Sequence, residues 1–155
     1  MKSILLVDDS RFMRIANATA LTRAGYNVVT ASDGEEALMI ASARIPDLIL
    51  LDMLLPKLGG REVLHSLRKN PLTASIPVVV MSSLPQKNEF KLLKEGATAY
   101  VEKSKMALDQ HAESLLGIVK KTLEREGIVE VEVENTVVEC VRGKEILASF
   151  IEEGN

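Results

Sequence analysis

The sequence has no tryptophan, two tyrosines, three phenylalanines and one cysteine in 155 residues. A lone Cys140 cannot form an internal disulfide, which points to a reducing compartment, and the chain is read as cytoplasmic. The short apolar run after Met1-Lys2-Ser3 is too brief for a signal h-region, and no run is long enough to span a membrane. No Lys/Arg block occurs and the net charge is -3, so nothing electrostatic argues for nucleic acid. Repeats and low-complexity segments are also missing. What is abundant is aliphatic: 46% of residues are hydrophobic, mostly Val, Ile, Leu and Ala, enough for a core in an α/β layer fold.

Short apolar runs alternate with helical patterns along the first 125 residues. Ile4 to Val7 is a buried strand ending at Asp8-Asp9, and Ser10 can cap the helix after it. Met13, Ala16, Ala20 and Ala24 line one face of that helix, and Gly25 closes it. Asn27 to Ala31 is a second strand. Ser32 or Asp33 caps a helix with Ala37, Leu38, Ala41 and Ile45 inward, stopped by Pro46. A third strand runs through Leu48-Ile49-Leu50-Leu51 to Asp52. Pro56 and Gly59-Gly60 mark an irregular loop before a helix with Val63, Leu64 and Leu67 inward. Val78 to Met81 is a fourth strand, ending at Ser82-Ser83. A helix carrying Phe90, Leu93 and Lys94 follows, and Thr98 to Val101 is the fifth strand. A last helix holds Leu108, Ala112, Leu115, Val119 and Leu123 in register. Five strands alternating with helices predict a parallel sheet covered on both faces.

The remainder, 126–155, reads as an extension. Val129, Val131 and Val133 alternate with Glu130, Glu132 and Glu134, the pattern of a half-buried strand. Residues 128–142 are expected to form a strand or hairpin and 144–152 a short helix, with a helix interrupted by Gly143 as the alternative for 136–151. Such a strand should add to a sheet edge or to its twin, so dimerisation or partner docking is expected of it. With about 30 residues, no basic face and no helix-turn-helix pattern, it is not a standard DNA-binding output domain, and the chain is either a stand-alone unit or the front of a longer one.

Asp8, Asp9, Asp52, Ser82 and Lys103 all fall at or just past strand ends, where a doubly wound sheet binds its ligands. Three carboxylates and one ammonium make a site that calls for a cation. Hard oxygen ligands suit Mg²⁺ or Mn²⁺. With the metal and Lys103 neutralising charge, Asp52 can accept a phosphoryl group whose oxygens Ser82 can contact. Each residue also has a plainer reading. Asp52 and Lys103 could be a structural ion pair, Asp8-Asp9 an acidic helix start, and Ser82 a turn serine. Arg11 and Arg14 read as solvated, with contact to a phosphoryl donor as the alternative. His65 and His111 have no partner at ligand spacing and read as surface residues, and Cys140 as a small core residue.

Taken together, Leu6-Val7-Asp8-Asp9-Ser10, Asp33-Gly34-Glu35-Glu36-Ala37-Leu38, Asp52-x-x-x-Pro56, Pro77-Val78-x-x-x-Ser82, Gly96-Ala97 and Tyr100-x-x-Lys103 resemble the receiver domain of bacterial two-component response regulators. The resemblance covers roughly residues 1–125. It implies a flavodoxin-like five-stranded parallel sheet of order 2-1-3-4-5 and transfer of phosphoryl from a histidine kinase or phosphotransfer protein to an aspartate. It assigns Asp52 as phosphoacceptor and Asp8, Asp9 and the Leu54 backbone carbonyl as metal ligands. Ser82 becomes the switch hydroxyl, Tyr100 the switch aromatic, or else plain core packing, and Lys103 the phosphate-binding lysine. The output is a changed protein-binding surface, so a downstream protein is a further partner. Leu54 and Leu84 occupy the positions that flank the phosphoryl group and are expected to tune its loss. Ser104 stands where the family usually has proline, the one feature favouring a phosphorylation-independent adaptor. A flavodoxin would need a Ser/Thr/Gly-rich phosphate loop after the first strand, and an aspartate phosphatase an Asp-x-Asp motif there; neither is present.

Overall fold

A computed structural model of the chain describes residues 1–82, 89–103, 108–124, 128–133 and 136–141, the last two segments by backbone alone. Its Cα packing separates two units, Met1–Leu123 and Glu124–Asn155.

The first unit alternates strand and helix: β1 (Ser3–Val7), α1 (Arg11–Arg23), β2 (Asn27–Ala31), α2 (Gly34–Arg44), β3 (Leu48–Asp52), α3 (Gly60–Lys69), β4 (Val78–Ser82), α4 (Glu89–Lys94), β5 (Ala99–Glu102) and α5 (Leu108–Glu124). The strands pair in parallel in the order β2-β1-β3-β4-β5. This is the flavodoxin-like doubly wound sheet. β1, β3 and β4 are continuous aliphatic runs because both faces are covered. Alternate residues serve opposite layers. Leu5, Val7, Ile49, Leu51, Val78 and Val80 pack with Ala37 and Ala41 of α2, Val63, Leu64 and Leu67 of α3, and Leu92 of α4. Ile4, Leu6, Leu48, Leu50, Val79 and Met81 pack with Leu21 of α1 and Leu115 and Val119 of α5.

Local chemistry sets the helix ends. The Ser10 side chain accepts the Met13 N–H, and the Asp33 side chain accepts the Glu36 N–H. Gly25 takes φ +100° just past α1.

Two packing expectations are corrected. On α1 the buried residues are Asn17 and Leu21, while Ala24 is exposed. The inward stripe runs at i, i+4 through a polar residue, which hides it from an apolar pattern. Ile45 is 44% exposed instead of inward, because it caps α2 in the left-handed region at φ 44° and turns away from the helix face. On α4, Leu92 is buried and Leu93 is 39% exposed.

In the second unit, β6 (Ile128–Val133) and β7 (Thr136–Val141) pair antiparallel as a hairpin. The register sets Val129, Val131 and Val133 against Cys140, Val138 and Thr136, and Glu130 against Glu139. The helix expected at 144–152 lies outside the described residues.

Candidate functional site

Because all five strands run the same way, Asp8, Asp52, Ser82 and Lys103 come to one edge of the sheet. β3 lies between β1 and β4, so Asp52 is flanked by the ends of both. Asp8 is fully buried, Asp52 is 3% exposed and Asp9 faces solvent. Carboxylate oxygens of Asp8, Asp9 and Asp52 lie within 4.8 Å of one another.

Each buried oxygen has a defined neighbour. Asp52 Oδ1 accepts the Leu54 N–H at 3.1 Å, and Asp52 Oδ2 accepts from Lys103 Nζ at 2.9 Å. Asp8 Oδ1 accepts the Ser10 N–H at 2.9 Å. Asp8 Oδ2 meets the Lys103 ammonium at 3.1 Å as an ion pair without hydrogen-bond alignment, and has no other partner among the described residues. Lys103 is brought in by its backbone, whose N–H donates to the Ser82 carbonyl at 2.7 Å.

Burial pushes the Asp52 carboxyl above the usual aspartate range, and Asp8 adds repulsion. The bonds from Lys103 and Leu54 offset this only in part. Burial also opposes the Lys103 charge, but Asp52 and Asp8 together outweigh it and hold the ammonium above its ordinary value. One cation is thus shared by two buried anions, with a third anion beside them.

The loop after β3 is pinned close by. Met53 N–H donates to Met81 O at 3.0 Å, and Gly60 N–H to Met53 O at 3.1 Å. A Cβ on Gly60 would lie 2.6 Å from both the Asp52 carbonyl oxygen and Met53 Cα. Only glycine permits that approach, which gives the second glycine of Gly59-Gly60 a reason beyond breaking a helix. Gly34 is tighter still, its Cβ position falling against Leu58 O.

Ser82 is fully buried, Tyr100 is 8% exposed and Leu54 is 61% exposed. Tyr100 is therefore buried here. Leu84 and Ser104 lie outside the described residues, as does His111 among described side chains; His65 is exposed. Arg14, read from sequence as solvated, instead donates from Nη1 to the Asp8 carbonyl at 2.9 Å. Its spacing of six residues from Asp8 was the available signal, since one helical turn beyond a cap can reach back to the strand end.

The donor set fits a small hard cation. The carboxylates converge, and one buried Asp8 oxygen is without a hydrogen bond among the described residues. Among the described residues, no helix is long and apolar enough to cross a membrane.

Comparison with known proteins agrees with this geometry. The profile of the response regulator receiver domain matches residues 4–113. The alkaline phosphatase synthesis transcriptional regulatory protein PhoP of Bacillus subtilis is 43% identical over 103 residues, 66% of this chain and 42% of that protein. The phosphate regulon transcriptional regulatory protein PhoB of Pseudomonas aeruginosa is 37% identical over 66% of this chain and 45% of its own length. This chain thus spans under half the length of these two relatives. Among solved structures, the phosphorylated cyanobacterial phytochrome response regulator RcpA superposes with TM-score 0.68 at 35% identity, covering 77% of this chain and 91% of that one. Chemotaxis protein CheY4 of Vibrio cholerae gives TM-score 0.68 at 30% identity, covering 78% and 98%. With the sheet order, the strand-end carboxylates and a profile match over most of its length in agreement, the chain belongs to the response regulator receiver domain family of two-component systems.

Proposed function

We propose that Asp52 accepts a phosphoryl group from the phosphohistidine of a histidine kinase or phosphotransfer protein. The observation that carries this is the Lys103 ammonium held 2.9 Å from Asp52 and 3.1 Å from Asp8, with Asp9 completing a carboxylate cluster. An Asp52 oxygen forms the bond to phosphorus as the phosphorus–nitrogen bond to the donor imidazole breaks, and the imidazole keeps the electron pair. Asp8, Asp9 and Asp52, with the Leu54 carbonyl, would hold Mg²⁺ or Mn²⁺, which when bound neutralises charge on the phosphoryl oxygens. Lys103 supplies a fixed positive charge beside Asp52 Oδ2. Its shared bonding to Asp8 keeps it in place while Asp52 changes partner.

The Ser82 hydroxyl, at the end of β4, is the group that would follow the phosphoryl oxygens. Its backbone is joined to Lys103, so a shift there moves the β5 end, where Tyr100 is packed. Such a local charge biases a two-state surface for a downstream protein. Tyr100, buried against the β4–β5 layer, is the aromatic whose packing such a shift would alter. Apolar Leu54 and Leu84 slow water attack on the acyl phosphate; Leu54→Asn and Leu84→Glu should therefore lose phosphoryl faster, as followed by time-resolved intact mass. The hairpin unit is proposed as a dimerisation or docking element, checked by sedimentation of the full chain against a chain ending at Arg125.

The proposal is tested by intact-mass spectrometry after acetyl phosphate and Mg²⁺. A phosphate adduct on the wild type that Asp52→Asn lacks supports it. No adduct with acetyl phosphate or a panel of kinases supports a phosphorylation-independent adaptor instead.

A further inference from the structure

We propose that Arg14 is a positioning residue of the cation site, acting through the Asp8–Asp9 peptide. The inference rests on the metal reading above. β1 pairs with β3 only as far as Val7 and Leu51, so the Asp8 carbonyl is the first one past that ladder. The Asp8 N–H still bonds to Ala31 O of β2 at 3.1 Å, and its carbonyl is taken by the Arg14 guanidinium at 2.9 Å. Both polar groups of the Asp8 backbone are thus held by a partner. A planar peptide carries the Asp8 carbonyl and the Asp9 nitrogen and Cα together. Orienting that carbonyl therefore orients the base from which the Asp9 carboxylate projects.

Asp9 needs this help. Its side chain is exposed, and no hydrogen bond to it occurs among the described residues. Asp8, by contrast, has its carboxylate held by Ser10 N–H and Lys103. Arg14 sits half-buried on the first turns of α1, the helix that Ser10 caps, so the arginine and the Asp8 carboxylate share one rigid reference.

The sign of the effect separates positioning from bulk charge. A nearby guanidinium repels a divalent cation, so if charge alone mattered, its removal would tighten binding. Positioning demands the opposite. The test is calorimetric titration of the full-length protein with MgCl₂, using wild type, Arg14→Met and Arg14→Lys, each checked for cooperative unfolding without metal. Arg14→Met should bind Mg²⁺ about tenfold more weakly, the scale of lost outer-shell support. Arg14→Lys, which keeps one donor and the charge, should fall between. Affinity in Arg14→Met equal to or above wild type overturns the proposal. Should that variant not fold, wild-type or higher affinity in Arg14→Lys overturns it. Wild type that takes up no Mg²⁺, or whose uptake survives Asp9→Asn, removes the metal reading itself, a failure distinct from that of Arg14.

Discussion

Replacing Asp52 with asparagine should stabilise the metal-free protein. The carboxylate oxygens of Asp8, Asp9 and Asp52 are at most 4.8 Å apart. At an effective dielectric near 20, each such pair repels by about 3.5 kcal/mol gross. The Lys103–Asp52 contact at 2.9 Å attracts by about 6 kcal/mol on the same scale. Asp52→Asn deletes two repulsions and one attraction, nearly balancing, and also relieves the desolvation of a carboxylate that is 3% exposed. The amide can still accept from Lys103 or from Leu54 N–H. The expected net gain is about 1–3 kcal/mol, set by the desolvation that remains uncompensated.

The pH dependence follows from direction alone. The Asp52 carboxyl is raised in the folded state, so its favourable contribution exists below the unfolded aspartate value and disappears as pH rises through the folded value. The gap between Asp52→Asn and wild type should therefore open across that range. Lys103 is raised too, so its contribution holds below the ordinary lysine value and is lost only at higher, alkaline pH. Urea unfolding in EDTA at several pH values measures the gap, and saturating Mg²⁺ should narrow it by stabilising wild type. A metal-free Asp52→Asn that is less stable than wild type at neutral pH would refute the reasoning.

Three further predictions concern the frame. Gly60→Ala places a methyl 2.6 Å from Asp52 O and should cost about 1–3 kcal/mol while slowing phosphoryl uptake, read by unfolding and by acetyl phosphate labelling. Ile45, β-branched at φ 44°, pays for a left-handed cap, and Ile45→Asn should raise stability by about 1 kcal/mol in the same unfolding assay. Arg68 donates to the carbonyls of Gly96, Ala74 and Ile76, so Arg68→Ala should lower stability by about 3 kcal/mol and loosen amide exchange at the α4–β5 turn.

The sheet was legible because aliphatic runs broken by helical spacing admit few other folds, and four of the five runs lead into a residue with chemistry. The strand-end carboxylates and Lys103 could be picked out because charges at the ends of buried runs are costly without a use. Side-chain relationships across the chain were not. Arg14 reaching back to a carbonyl leaves no mark in composition or periodicity, and neither does Arg68 joining the stretch before β4 to the turn before β5. Asn17 disguised the inward face of α1. Ile45 kept the inward spacing of α2, but the backbone turned left-handed there, a choice made by the chain entering Pro46 and not by hydrophobicity. The glycine at 60 was visible as a loop marker, while its contact with the Asp52 carbonyl needed the folded chain.

The central claim is that Asp52 is the acceptor, and mapping the modified residue tests it most directly. Wild-type protein is labelled with acetyl phosphate and Mg²⁺, reduced with borohydride to convert an acyl phosphate to the alcohol, digested and sequenced by mass spectrometry. The expected result is homoserine at position 52 and at no other aspartate. Labelling at Asp8 or Asp9, or labelling that persists in Asp52→Asn, would contradict it.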